Sequence, residues 1–413
     1  MTPLPASTSP FTSLSAQRIQ YRVGHGGFHA TIVQDSVTNK HLVYVYDVGA
    51  CPDAALLENA IDRFVKRLIA RGIKRVQYVI LSHIDEDHVS RLDHLLEKLQ
   101  GKKITVDTLT LPWLRNSSRL LALNRSPRRG VSTVVYQLLQ DDDSVVQYLS
   151  DLGVENVLFV EGESNDGDGD GDDDFDGNDP APPTPRSHAP NAKYIVSGTK
   201  LQVPTDIPWQ MLITHLEPPK TTLREFDEKV IEKTGLDPAD QKNHAKLIMS
   251  YRGQIRAAMR FAAKQTNLDL RNATVSNWSS QSLYSASLSP LARHAVPHAP
   301  NDFEMECEHG WLHTGDLPLD VPVIWNAFEA AWNQHLPDIE VCAVLAPHHG
   351  SMHGHNDNLY LRFKPSVVIF PLGLWRGSRR GKPMFAKWIK PKPAIHDVRK
   401  HRTIKVRILN NRV

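Results

Sequence analysis

Short apolar blocks bounded by turn residues open the chain, and that pattern is the one expected of strands. Residues 19–23, 30–34 and 41–46 read as three strands, the first two separated by Gly24-His25-Gly26-Gly27 and the third ending at Asp47-Val48-Gly49. The period then changes. Leu57, Ile61, Phe64, Val65, Leu68 and Ile69 recur at helical spacing, which predicts a helix starting at Pro52-Asp53 and stopped by Gly72. Residues 76–81 predict a central strand, Leu92, Leu95, Leu96 and Leu99 a helix stopped by Gly101, and residues 104–111 another strand. This alternation implies a layered α/β core. Farther on, Thr222-Leu223-Arg224-Glu225 has the form of a capping box opening a helix with Leu223, Phe226, Val230 and Ile231 on one face, ended by Gly235. A second helix is expected over 240–266, so 220–270 reads as a helical insertion. Strand patterns return at 281–287, at Trp311-Leu312, at 341–345 and at 367–371.

Composition changes this picture in three places. Residues 1–18 are rich in Ser, Thr and Pro and are expected to be disordered. Residues 161–192 contain the run SNDGDGDGDDDFDGND followed by a Pro-rich stretch, and such a segment cannot bury enough apolar surface to offset the entropy of ordering, so a disordered insertion is expected. The formal net charge of +2 hides a basic extension at 373–413, where Arg376, Arg379, Arg380, Lys382 and many further cations face one acid, Asp397. Such a segment suits a polyanionic partner. The three cysteines, Cys51, Cys307 and Cys342, show no C-x-x-C spacing, so neither a disulfide framework nor a thiolate metal site is expected. No apolar run approaches the roughly 20 residues of a membrane span. The reading is a soluble, cytoplasmic protein with no membrane partner.

The candidate chemistry lies in Ser82-His83-Ile84-Asp85-Glu86-Asp87-His88, directly after the predicted central strand. Imidazoles and carboxylates at this spacing in a strand-to-helix loop converge on one point, whereas on a helix they would spread around it. His83 and Asp85 would face one metal, Asp87 and His88 a second. The mixed N/O set suits zinc, manganese or iron. Asp316, after the Thr314-Gly315 turn, is placed to bridge both ions, and His348 or His349 in His348-His349-Gly350-Ser351 would add another imidazole.

In this order, Asp47-Val48-Gly49, His83 to His88, Thr314-Gly315-Asp316 and His348-His349-Gly350-Ser351 resemble the metallo-beta-lactamase fold, and within it the soluble domain of the competence protein ComEC and its cytosolic relatives. In that branch an Asp replaces the second His of the usual H-x-H-x-D-H motif, as Asp85 does here. The opening hairpin at 23–30 and the strand at 364–369 are also similar. The resemblance covers residues 19–372 and implies an αββα sandwich. It implies that His83, Asp85, Asp87, His88 and Asp316 are metal ligands, with His348 or His349 the last, and that Asp47 orients the motif loop. Asp87 and Asp316 would hold the attacking group. The sequence departs from the family at Thr110-Leu111-Pro112-Trp113, where many members supply a further His, and His215 is the nearby later candidate. Ser351 is expected to cap the loop after the last ligand.

The function so implied is that of a metal-dependent hydrolase with two divalent ions, Zn or Mn. A phosphodiesterase or nuclease using a metal-activated hydroxide is the leading expectation, with nucleic acid or a nucleotide as substrate. A thioester or lactone hydrolase is one alternative. Another is a partner-dependent effector, with a protein partner encoded nearby, in an anti-phage defence system.

Overall fold

In the computed structural model the described residues are 14–51, 54–125, 133–162, 186–218, 220–265, 279–288, 303–305, 310–336, 339–351, 354–365, 367–370 and 394–397. Two sheets face each other. The first has the order β11-β1-β2-β3-β4-β5-β6-β7 and the second β15-β14-β13-β12-β10-β9-β8. In the first sheet β1 (Leu14–Gln20), β2 (His29–Asp35) and β3 (Lys40–Tyr46) form an antiparallel meander, with β11 (Phe303–Met305) on its outer edge. From β3 onward the sheet is parallel, through β4 (Arg75–Ile80), β5 (Thr105–Pro112), β6 (Val154–Glu161) and β7 (Ala192–Val196). In the second sheet β8 (Thr199–Lys200), β9 (Trp209–His215), β10 (Gln281–Ser287) and β12 (Gly310–His313) pair antiparallel. Strands β13 (Val341–Leu345), β14 (Val367–Phe370) and β15 (Ala394–Asp397) continue it in parallel.

Each sheet is buried on both faces, and that is why strands such as β2 and β3 read as almost unbroken apolar runs. On the outer face of the first sheet, α1 (Ala54–Ala70), α3 (Leu92–Gln100), α5 (Thr133–Leu138) and α6 (Asp142–Asp151) set Leu57, Phe64, Leu95 and Leu149 against Val45, Val79 and Leu109. On the second, α9 (Pro322–His335) and α10 (Asp357–Phe363) set Phe328, Trp332 and Phe363 against Leu312, Val344 and Val368. Between the sheets lie Leu42, Tyr44, Ile80, Trp209, Met211 and Leu283. Hydroxyls tie the sheets together: Tyr46 donates to the Gln281 carbonyl at 2.7 Å, and Tyr44 bonds Ser285. The layers are therefore αββα, as expected.

A fourth apolar cluster joins α4 (Asn116–Arg125) to α7 (Lys220–Thr234) and α8 (His244–Gln265) through Leu120, Phe226, Val230, Leu247 and Ile255. The helical insertion is thus docked beside the first sheet. Its α7 starts before Thr222, so that threonine lies inside the helix and not at its cap.

Other expectations shift. β1 begins at Leu14, inside the segment expected to be disordered, because Leu14 and Ile19 are buried and the strand pairs with β2 and β11. Residues 163–185 of the acidic insertion lie outside the described residues, while 186–192 lead into β7. Most of the basic extension also lies outside them, but Ala394–Asp397 pairs with β14 as an edge strand of the second sheet. Cys51 is a free thiol and Cys342 is disulfide-bonded, so the expectation of no disulfide does not hold for Cys342. No helix among the described residues is long and apolar enough to cross a membrane.

Candidate metal centre

The short helix α2 (Glu86–Val89) follows β4, and the loop between them carries the His/Asp motif. Backbone hydrogen bonds pin that loop to the opening hairpin: Gly27 N–H donates to the Asp87 carbonyl at 3.1 Å and Val48 N–H to the His88 carbonyl at 2.7 Å. Gly49 is required by this approach. A Cβ there would stand 2.2 Å from the His88 nitrogen. From the second sheet, Gln281 N–H donates to the Ser82 carbonyl at 2.6 Å, so both sheets fix the loop.

Four side chains converge. One ligand atom from each of Asp87, His88, Asp316 and His349 lies within 4.8 Å of all the others. The Nε2 atoms of His88 and His349 are 3.1 Å apart, and Asp316 Oδ1 stands 3.3 Å from the first and 3.5 Å from the second. Asp87 Oδ2 is 3.2 Å from His349 Nε2. These ligands leave from the carboxyl ends of β4, β12 and β13, the edge at which α/β sheets place their sites.

The Asp316 carboxylate is forked between two sets of groups. Its Oδ2 is 3.8 Å from His83 Nε2 and 3.7 Å from His348 Nε2, and His83 Nε2 is 3.7 Å from Asp85 Oδ2. The sequence left the last ligand open between His348 and His349. The fold brings both to Asp316, one to each oxygen. That arrangement costs strain, since His348 and His349 have φ of 48° and 52°, a left-handed conformation uncommon outside glycine.

Asp47, at φ 60°, bonds the motif loop behind the four clustered side chains. Its Oδ2 accepts from His88 Nδ1 at 2.8 Å and from Ser82 Oγ at 3.0 Å, while Oδ1 accepts from Ser82 N–H at 2.7 Å. A proton on Nδ1 leaves His88 Nε2 with its lone pair toward Asp316 and His349, the tautomer a metal ligand needs. His83 Nδ1 is likewise engaged by Ser82 Oγ at 3.0 Å, with Nε2 facing the cluster.

The electrostatics fit a cation. Burial alone would lower His88, but the carboxylates of Asp316, Asp47 and Asp87 raise it well above the ordinary histidine value. Burial likewise opposes the charge on Asp316, yet His349, His88 and His348 hold it well below the usual carboxylate range. Asp87 is held low against burial by His88, His25 and His349. His83 is the contrary case: burial first, then neighbouring His88, push it down to about 3, so it stays neutral and able to coordinate. Among the described residues, buried Asp316 Oδ1 and His83 Nε2 make no hydrogen bond of full geometry, although His88 Nε2 stands 3.3 Å from the first. Orphaned acceptors of this kind beside an opposed pair of imidazole nitrogens suit a divalent ion, whose binding would displace a proton from the cluster. The mixed nitrogen and oxygen donor set suits a divalent metal ion.

Two candidates resolve differently. His215 is fully buried at the end of β9, with Nδ1 on the Val160 carbonyl at 2.7 Å. It is pushed down to about 4 by burial and by no group of the cluster. It is not among the four side chains whose ligand atoms converge. His25 was read only as part of a turn, yet its Nε2 is 3.3 Å from Asp87 Oδ2 and its ring lies 4.4 Å from that of His349, tilted by 46°. A backbone bridge to Cys51 holds it there. A histidine inside a glycine-rich hairpin loop, aimed at the motif by Gly26 and Gly27, was the signal available. Ser351 turns the loop through its N–H, which donates to the His348 carbonyl at 2.8 Å, while its hydroxyl makes no hydrogen bond.

No curated protein matches the sequence. Among solved structures, the chain is similar to a long form RNase Z from yeast, at 8% identity and a TM-score of 0.31, over 80% of this chain and 32% of that one. The chain thus spans about a third of that protein. It is also similar to the metallo-beta-lactamase fold protein YhfI from Bacillus subtilis, at 10% identity and a TM-score of 0.35, over 94% of this chain and 98% of that one. Residues 29–195 match the model of the metallo-beta-lactamase superfamily, and the αββα sandwich with its His/Asp cluster at the strand ends has the metallo-beta-lactamase fold.

Proposed function

We propose that this protein is a metal-dependent hydrolase of phosphodiesters, a phosphodiesterase or nuclease of the ComEC-like branch, acting on nucleic acid or a nucleotide with two zinc or manganese ions. The observation that carries the reading is the forked Asp316 carboxylate, with Oδ1 toward His88 and His349 and Oδ2 toward His83 and His348. One ion would be held by Asp87, His88, Asp316 and His349. The other would be held by His83, Asp85 and Asp316, with His348 in the role that a later histidine fills elsewhere. When bound, the ions supply Lewis-acid stabilisation of charge on an attacked phosphorus and activate water near neutral pH.

The chain's own residues do the rest. Asp316 fixes the spacing of the two halves, Asp47 and Ser82 hold the imidazole tautomers, and Asp87 orients the attacking group between His25 and His349. The choice of phosphodiesters over thioesters or lactones rests on Asp85, which adds a carboxylate where an imidazole is usual, and on the basic composition of 373–413. The fold itself does not choose, since it hosts several hydrolytic chemistries.

The test is an assay on DNA, RNA and a generic phosphodiester, supplemented with zinc and manganese separately, beside Asp87→Ala and His88→Ala. Metal-dependent hydrolysis that falls to background in both variants is expected. Activity that survives both substitutions would refute the site.

A further inference from the structure

We infer that the core between the two sheets holds a small monovalent anion of chloride size, bound by Arg18, independently of the metal centre. Arg18 lies on β1 with 1% of its surface exposed. Its guanidinium sits against the faces of two tryptophans, 4.9 Å from the Trp209 ring and 5.5 Å from that of Trp311. Among the described residues Nε, Nη1 and Nη2 all lack a hydrogen-bond partner. The phenols of Tyr44 and Tyr284 act on it, and its charge acts in turn on His29 and His313.

The groups around it are equally short of acceptors. His29 on β2 and His313 on β12 are fully buried with ring centroids 4.5 Å apart, and the Trp311 ring lies 4.8 Å from His29 and 6.2 Å from His313. Among the described residues neither nitrogen of His313 has a partner, and His29 is paired through Nε2 alone, with Thr31 Oγ1 at 3.0 Å. Burial keeps both imidazoles neutral, so each adds a donor as well as an acceptor.

A guanidinium stays protonated in proteins, and a buried cation without a counter-charge is among the costlier arrangements a core can hold. The tryptophan faces offset part of this by cation–π attraction, but a ring face does not satisfy the N–H donors at the guanidinium edge. Water would supply acceptors without charge. A phosphate-like dianion would bring two charges against one arginine in a low-dielectric core. One small monovalent anion balances the charge and accepts from Arg18 and the adjacent imidazoles. The site would also brace the strand that carries Asp316, because His313 immediately precedes Thr314-Gly315-Asp316.

The test is thermal unfolding of the purified protein and of Arg18→Met in sodium chloride, sodium bromide and sodium gluconate at constant ionic strength. The wild-type midpoint should rise saturably with chloride and bromide but not with gluconate, and Arg18→Met should give one midpoint in all three salts. Crystals of the wild type grown in bromide should show an anomalous peak in contact with the guanidinium, a result that stands even where the variant fails to fold. A wild-type midpoint indifferent to the anion, or bromide data with only water beside Arg18, overturns the inference.

Discussion

At the scale of single residues, Asp47 holds the His/Asp cluster in place without joining it. It fixes the His88 tautomer and the Ser82 backbone at once, so Asp47→Asn, which keeps the shape and loses the charge, should weaken metal binding roughly 10- to 100-fold. Titration calorimetry with zinc measures this, and an unchanged affinity would remove Asp47 from the argument. His215 predicts an acid sensitivity. Its folded pKa of about 4 lies below the ordinary 6.5, so the unfolded chain binds more protons between those values. Its contribution is fully present above pH 6.5 and is lost as pH falls toward 4, amounting to roughly 3 kcal/mol across that window. Urea unfolding from pH 7 to 4 should show a shallower decline for His215→Asn, and identical slopes would contradict the assignment. The ligand types were legible in the motif, whereas the role of His25 was not. Nothing local distinguishes a hairpin histidine that meets the motif loop from one that faces water.

At the scale of elements, the contact between α4 and α7 carries a buried acid. Asp227 accepts from Ser117 Oγ at 2.8 Å, and burial pushes its carboxyl up to about 7. A raised folded pKa means that the native state holds the proton, so this contact is most stable below the unfolded value near 4 and weakens as pH rises through 7. Asp227→Asn should therefore stabilise the protein at pH 8, by about 2–4 kcal/mol, and have little effect at pH 4. Paired denaturant curves check this, and a variant less stable at pH 8 would count against the reading. The elements around the motif were readable because their apolar periods are long. β6 and β9 were not: VENVLFVE and WQMLITH are short apolar runs that a buried strand and a buried helix segment share, and neighbouring strands settle the question.

At the scale of the molecule, the side chains of the proposed metal site leave from both sheets, and His88 and His349 are 261 residues apart in sequence. An ion bound there links the two halves of the sandwich and binds only the folded chain. Chelation should therefore lower the melting temperature by about 5 °C, with recovery on adding back zinc or manganese. A melting temperature indifferent to chelator and metal would mean that the cluster holds no ion. The helical insertion is tied to the same body through Leu120, Phe226 and Ile255 and is not an appended domain.

The sequence by itself determined the candidate ligand types, the order of the motifs and a layered α/β core, because each depends on local spacing and on apolar period, whereas the αββα arrangement was what the family resemblance implied. Only the tertiary structure decided how the tandem histidines divide across Asp316, that His25 joins the cluster and that His215 does not. Those outcomes depend on left-handed turns at His348 and His349 and on the packing of two sheets, whose registers are set by contacts far apart in the chain.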